Sequence, residues 1–234
     1  MGCRKKECEE VINEPYVYPV EAAKGKTFEE HIAMYKIPEQ TLHCLSTSAL
    51  LESCLDYPEM RMIWTRSELQ NGFDDVRKMC NGFDELFGRN DRFQKIYSFY
   101  QQKNFTRDWN SFSDLENGRY MDDIVRVELI ISQYEILNGL SVTDKIELLQ
   151  LALDNQKKKS ELIQYWGIVG MQTTCAILSR IMYLDNYQPL VEEYNNNDYM
   201  LILIAYVLIL DSDVIDKVMG LSEDYLKILK NQQK

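Results

Sequence analysis

The chain has 234 residues and a mass of 27.6 kDa, enough to bury one sizeable core, and length alone allows one domain or two. Hydrophobic residues make up 45% and charged residues 27%, values that exclude global disorder. The 26 Lys and Arg against 37 Asp and Glu leave a net charge of −11 and a pI near 4.8, an acidity that repels phosphate backbones and argues against nucleic acid as a partner.

The N-terminus reads Met-Gly-Cys-Arg-Lys-Lys-Glu-Cys-Glu-Glu and allows three readings. Myristate on Gly2 with palmitate on Cys3 is one, weakened by Lys6 where Ser or Thr is expected. A bacterial lipobox ending in Gly2-Cys3, with the Cys3 thiol as lipid attachment point and an apolar leader upstream, is the second. An ordinary thiol in a frayed terminus is the third. Residues 1–25, with Pro15, Pro19 and Gly25 among alternating Tyr and Val, are expected to form an extended lead-in over the surface.

From residue 26 onward the pattern is helix after helix. Thr27 is placed to cap a helix through Tyr35, with Glu29 and Glu30 in its first turn. Pro38 suits the start of a short turn, Ser46-Thr47 caps Ala49 to Leu55, and Tyr57-Pro58 stops that helix. Asn71-Gly72-Phe73-Asp74 recurs as Asn81-Gly82-Phe83-Asp84, each read as a reused N-cap because a ten-residue period is too short for a solenoid unit. Asn90 or Asp91 caps a helix carrying Phe93, Ile96, Tyr97 and Tyr100 on one face.

The polar, aromatic stretch 105–118, with Trp109, Phe112 and Asn117-Gly118, is expected to be a long loop or a boundary between subregions. Beyond it lie a stripe of Ile124, Val127, Ile131 and Tyr134 ending at Asn138-Gly139, and a helix opened by Ser141-x-x-Asp144 with Ile146, Leu149 and Leu153 inward. Lys157-Lys158-Lys159 reads as a solvated helix face. Met171, Thr174, Cys175, Leu178, Ile181 and Met182 form another stripe. Tyr199 to Leu210 is apolar but shorter than the roughly 18 residues a membrane span needs, so it is assigned to the core as a helix, like its neighbours. A last helix runs from Ser222 to about Lys230. The expected fold is all-α: stacked antiparallel helical hairpins in a superhelix-like arrangement, with residues 26–234 as a single helical domain.

The six cysteines, Cys3, Cys8, Cys44, Cys54, Cys80 and Cys175, are too sparse for a disulfide scaffold, and their pairing is open. With no Cys-x-x-Cys and only His31 and His43, zinc spacing is absent, and no cofactor fingerprint appears. Cys54 and Cys175 fall in apolar patterns and are expected to pack as small hydrophobes.

Ile37-Pro38-Glu39, Leu42, Ser46-Thr47, Ala49-Leu50, Cys54-Leu55, Tyr57-Pro58, Gly72-Phe73, Asn81-Gly82-Phe83, Glu85-Leu86, Arg89 and Asp91 together resemble the signature of an uncharacterised bacterial family of exported or lipoprotein-like proteins. Leu45 and Cys80 depart from it, standing where members carry Met and Phe. The resemblance implies an all-helical domain at the cell envelope, with no activity to carry over. It favours the lipobox reading of Cys3, and Glu7, Glu9 and Glu10 then resemble the sorting tail of a surface lipoprotein.

Four functional readings follow. A non-catalytic, envelope-associated interaction module is expected first, using some of the 15 tyrosines to bind an unidentified protein or glycan, without a cofactor and touching membrane only through the Cys3 anchor. A cysteine-dependent enzyme pairing Cys80 with His43 or His31 is the alternative, as is an unanchored helical scaffold in the cytoplasm or periplasm. A carboxylate hydrolase built on Asp74-Asp75, Asp122-Asp123 or Glu192-Glu193 would need partners from elsewhere in the fold, because successive helix residues diverge.

Overall fold

The N-terminal segment is tied to the helices by a disulfide, Cys8 to Cys44, and by one parallel bridge in which the Ile12 amide donates to Cys44 O at 2.9 Å and the Ser46 amide donates to Ile12 O at 2.8 Å. This computed structural model describes residues 8, 10–105 and 107–233, so Gly2, Cys3, Lys6, Glu7 and Glu9 lie outside the described residues. The lead-in is not merely superficial. The Tyr16 amide donates to Ser53 Oγ, the Tyr18 hydroxyl donates to Ser53 O, and Tyr18 and Ala23 are buried, Ala23 at the end of a one-turn helix, α1 (Val20–Ala23).

The fold is all-α. α2 (Phe28–Met34) starts at a capping box of Thr27 and Glu30, and α3 (Glu39–Cys44) follows Pro38. α4 (Thr47–Leu55) starts where Ser46 Oγ accepts the Ala49 amide and stops at Asp56, just before Tyr57-Pro58. A 3-10 segment, Met60–Thr65, leads to α5 (Leu69–Met79), α6 (Gly82–Gly88) and α7 (Arg92–Gln101). After a second 3-10 turn at Trp109–Ser111 come α8 (Asp114–Ile131), α9 (Tyr134–Leu137), α10 (Val142–Glu161), α11 (Ile163–Leu184), α12 (Gln188–Asn196), α13 (Asp198–Tyr206) and α14 (Asp213–Gln232).

α11 is the centre of the second half. Its residues from Gly170 to Met182 are buried on every face, because α8, α10, α13 and α14 all pack on it. α10 and α11 form a hairpin with only Leu162 between them, and α14 returns against both. The sharp entry into α11 is completed at Gly167, whose φ of 56° and ψ of −178° lie where a side chain would be strained. Buried apolar side chains form one cluster from Tyr18 to Leu229.

Several local expectations are corrected. Asn71 to Asp74 is not a cap: it lies inside α5, and Gly72 is required because a Cβ there would stand 2.2 Å from Ile63 O. Asn81 precedes α6 but has helical φ and ψ, so its amide does not cap; it accepts from the Ile37 amide at 3.0 Å and donates to Ile37 O at 2.9 Å, like an added peptide group. Asp91 precedes α7 and receives the Thr47 hydroxyl at 2.6 Å rather than capping. The expected loop over 105–118 ends at Ser113, whose capping box with Glu116 starts α8, so Asn117 and Gly118 are helical. The segment Tyr199 to Leu210 is helical only through Tyr206, since Val207 turns left-handed at φ 54°. The lysine run is not uniformly solvated. Successive helix residues point about 100° apart, and while Lys157 reaches Glu223 at the surface, Lys159 is fully buried.

Candidate functional site

The signature residues converge on one junction. Asn81 is clamped to Ile37, Thr47 to Asp91, and Arg89 donates to Leu42 O and His43 O while its guanidinium pairs with Glu85 at 2.9 Å. Gly82 lets α6 approach α4, since a Cβ there would lie 2.8 Å from Cys54 Sγ, and Phe73, Phe83 and Phe87 stack beneath. The Asn81–Ile37, Thr47–Asp91, Arg89–Leu42 and Arg89–His43 contacts join segments more than 40 residues apart, so this part of the motif secures α3, α4, α6 and α7 to each other. An open groove of about 740 Å³ flanks the junction beside the disulfide, lined by His43, Thr47, Arg89, Asp91 and Lys95 among others.

The two histidines face oxygen, not sulfur. His43 lies 3.2 Å from Glu85 and 3.8 Å from Glu39, and His31 lies 2.8 Å from Ala23 O and 3.6 Å from Glu59. Cys80 is buried, as are Cys54 and Cys175; burial pushes the Cys175 thiol up to about 12. The adjacent carboxylates are each engaged separately: Asp74 with Gln70, Asp75 with Arg66 and Lys78, Asp122 with Arg126 and the Trp64 indole, Glu193 with Lys217. Burial raises Asp123 above the usual carboxylate value, with Lys103 and Arg126 opposing.

A buried ionic centre, not anticipated from the sequence, joins α7, α8, α10 and α11. The Lys159 ammonium donates to Glu128 Oε2 at 2.6 Å, Gly170 O at 2.7 Å and Thr174 Oγ1 at 2.8 Å, using its three protons. Glu128 also accepts from the hydroxyls of Tyr100, Thr173 and Thr174 at 2.6 to 2.9 Å. Both charged side chains are 0% exposed. Burial lowers the Lys159 pKa, with Glu128 opposing, and raises that of Tyr100. All hydrogen-bonding capacity of the ammonium and both carboxylate oxygens is used within the protein, an arrangement suited to fixing helices rather than to receiving a ligand.

Arg180, on α11, forms the second buried centre at 1% exposure. Its Nε donates to Ile204 O at 2.9 Å, Nη1 to Ser132 O at 3.1 Å and Nη2 to Ala205 O at 3.4 Å. Ile204 and Ala205 belong to the last turn of α13, and Ser132 ends α8. The guanidinium thus completes two helix C-termini, each carrying about half a negative charge.

Above Arg180 lies an aromatic surface. Its guanidinium sits 5.0 Å from the ring centre of Tyr134, the first residue of α9. Tyr183 from α11 and Tyr194 from α12 meet with ring centres 4.9 Å apart. Burial raises the Tyr194 pKa first, and Tyr183, Tyr134 and Tyr206 add to it. Tyr134 and Tyr206 remain 37% and 42% exposed. The Tyr183–Tyr194 pair and Tyr134 on Arg180 present aromatic rings with polar tips, a chemistry suited to contact surfaces. The tyrosine count signalled the material for such a surface, but the four positions span residues 134 to 206, and no sequence period connects them. No protein-family model matches this chain, and no curated protein or solved structure does either.

Proposed function

We propose that the protein is a non-catalytic, envelope-associated helical binding module, related to the exported lipoprotein-like family its signature resembles and anchored through Cys3. The observation that carries the reading is the aromatic set formed by Tyr134 on Arg180 and the Tyr183–Tyr194 pair, with Tyr134 and Tyr206 exposed. Tyrosine supplies large contact area at little conformational cost, so such a group suits recognition of a protein or glycan surface. The Cys8–Cys44 disulfide supports an oxidising address outside the cytoplasm. The buried ionic centres, whose hydrogen bonds stay within the fold, support a scaffold that holds the tyrosine surface rather than a reaction centre. The Cys/His alternative draws no support from histidines that face carboxylates and a carbonyl.

The test is tyrosine iodination of the purified chain and of the same chain in the intact cells that make it. Tyr134 and Tyr206 are expected to be modified in the purified protein and protected in place. Equal labelling in both settings would remove the binding surface from the proposal. Lipid labelling of the native gene product with and without Cys3→Ala tests the anchor independently, and incorporation that survives the substitution would count against it.

A further inference from the structure

Beneath the N-terminal strap, and independent of the binding surface, two thiols meet in a sealed compartment. Cys54 comes from α4 and Cys80 from the end of α5, and both are at most 1% exposed. Their sulfurs converge on Gly82: a Cβ at that residue would stand 2.8 Å from Cys54 Sγ and 3.5 Å from Cys80 Sγ. Both sulfurs thus lie against the same side of Gly82. Tyr18, Tyr35 and Tyr57 close the compartment with mutually edge-on rings, their centres 5.6 to 6.3 Å apart. Tyr57 Oη is buried and has no hydrogen-bond partner among the described residues; burial, and then the neighbouring Cys80, raise its pKa.

We propose that Cys54 and Cys80 are a redox couple that closes to a second intramolecular disulfide beneath the strap. The alternative use of two adjacent thiols, holding a soft metal ion as a bis-thiolate, would leave net negative charge among phenols and apolar side chains, at a large desolvation cost. A disulfide carries no charge, so the same surroundings favour it. The chemistry is thiol–disulfide exchange with a small oxidising disulfide, which meets the pair during refolding, before the strap seals the compartment. Cys80 loses its proton and attacks one sulfur of the oxidant, breaking its S–S bond and releasing one thiolate. Cys54 then loses its proton and attacks the Cys80 sulfur of the mixed disulfide, expelling the second thiolate. Two electrons pass to the oxidant, and the two protons end on its two thiol products. The neighbouring Cys54 thiol, with further help from the Gly82 and Phe83 amides, holds Cys80 below the usual thiol value against desolvation, while burial pushes Cys54 up. Cys80 is therefore the attacking sulfur. Gly82 is what permits the approach, because any side chain there would part the pair.

The experiment refolds the reduced full-length chain in glutathione buffers of graded oxidised-to-reduced ratio, quenches in acid, blocks remaining thiols with N-ethylmaleimide in denaturant so that buried thiols also react, and maps disulfides in the digest. Formation of Cys8–Cys44 reports that the oxidant has acted. The expected result is a second linked pair, Cys54 with Cys80, and maleimide on Cys175. Cys54→Ala should abolish that pair and leave Cys80 carrying maleimide or glutathione, with Cys8–Cys44 unchanged. Gly82→Ala should shift closure to more oxidising ratios. Maleimide on both Cys54 and Cys80 at every ratio that forms Cys8–Cys44 overturns the proposal, as does linkage of either to Cys175.

Discussion

Lys159 and Arg180 are both cations sealed in the same helical core, yet they are neutralised in different ways. Lys159 meets a full opposite charge, Glu128, inside a shell of hydroxyls. Arg180 meets oxygens at the C-terminal ends of α8 and α13, partial charges supplied by peptide groups. The difference follows from side-chain chemistry. An ammonium with three protons is satisfied at one compact site, whereas the planar guanidinium fork can span two helix ends at once. An ion pair fixes two particular residues, while a helix-terminal arginine fixes two whole helices and holds the surface above them.

The comparison breaks first at Lys159. Lys159→Met leaves a buried carboxylate without its counter-charge, and a loss of about 3–5 kcal/mol is expected in urea unfolding. Arg180→Met strands carbonyls but no full charge, so its loss should be smaller, about 2–3 kcal/mol, in the range of helix-terminal and unsatisfied-acceptor costs. An equal or larger loss at Arg180 would show that the two helix ends act as more than partial charges. Combining Lys159→Met with Glu128→Gln removes both charges while the amide oxygen still accepts from Tyr100 and the amide nitrogen, in place of Oε2, can donate to the Thr173 hydroxyl. Most of the single-variant loss should be recovered, leaving about 1 kcal/mol. A double variant no more stable than Lys159→Met would mean that hydrogen bonding, rather than charge balance, dominates the centre.

The smallest effect is in pH. Burial lowers the folded Lys159 pKa, so the unfolded chain holds this proton more tightly. Stability from this group therefore rises with pH from the folded value up to the ordinary lysine value of roughly 10.4. Raised tyrosines work in the opposite direction, so the quantity to measure is the difference between wild type and Lys159→Met across the alkaline range. A flat difference would contradict the lowered Lys159 value.

Much of the helical skeleton was legible from local chemistry. The capping boxes at Thr27 and Ser141 and the Ser46 cap stand where their spacing put them, because a cap joins a side chain to an amide three residues away. The doubled Asn-Gly-Phe-Asp misled for the converse reason. Its glycines answer to Ile63 and Cys54 and its second asparagine to Ile37, none of them neighbours in sequence. Cys54 and Cys175 were recognisable as buried, but not the meeting of Cys54 with Cys80 across Gly82.

What the sequence by itself determined is therefore the all-α class, the helix starts at Thr27, Pro38, Ser46 and Ser141 and most inward stripes, since these depend on periods and caps within a few residues; the last helix, expected from Ser222, begins already at Asp213. Only the tertiary structure decided which lysine of three enters the core, which helix ends share Arg180, and which tyrosines stand together. Burial and charge neutralisation are properties of what packs around a side chain. Those neighbours come from helices tens of residues apart, and no local pattern carries their identity.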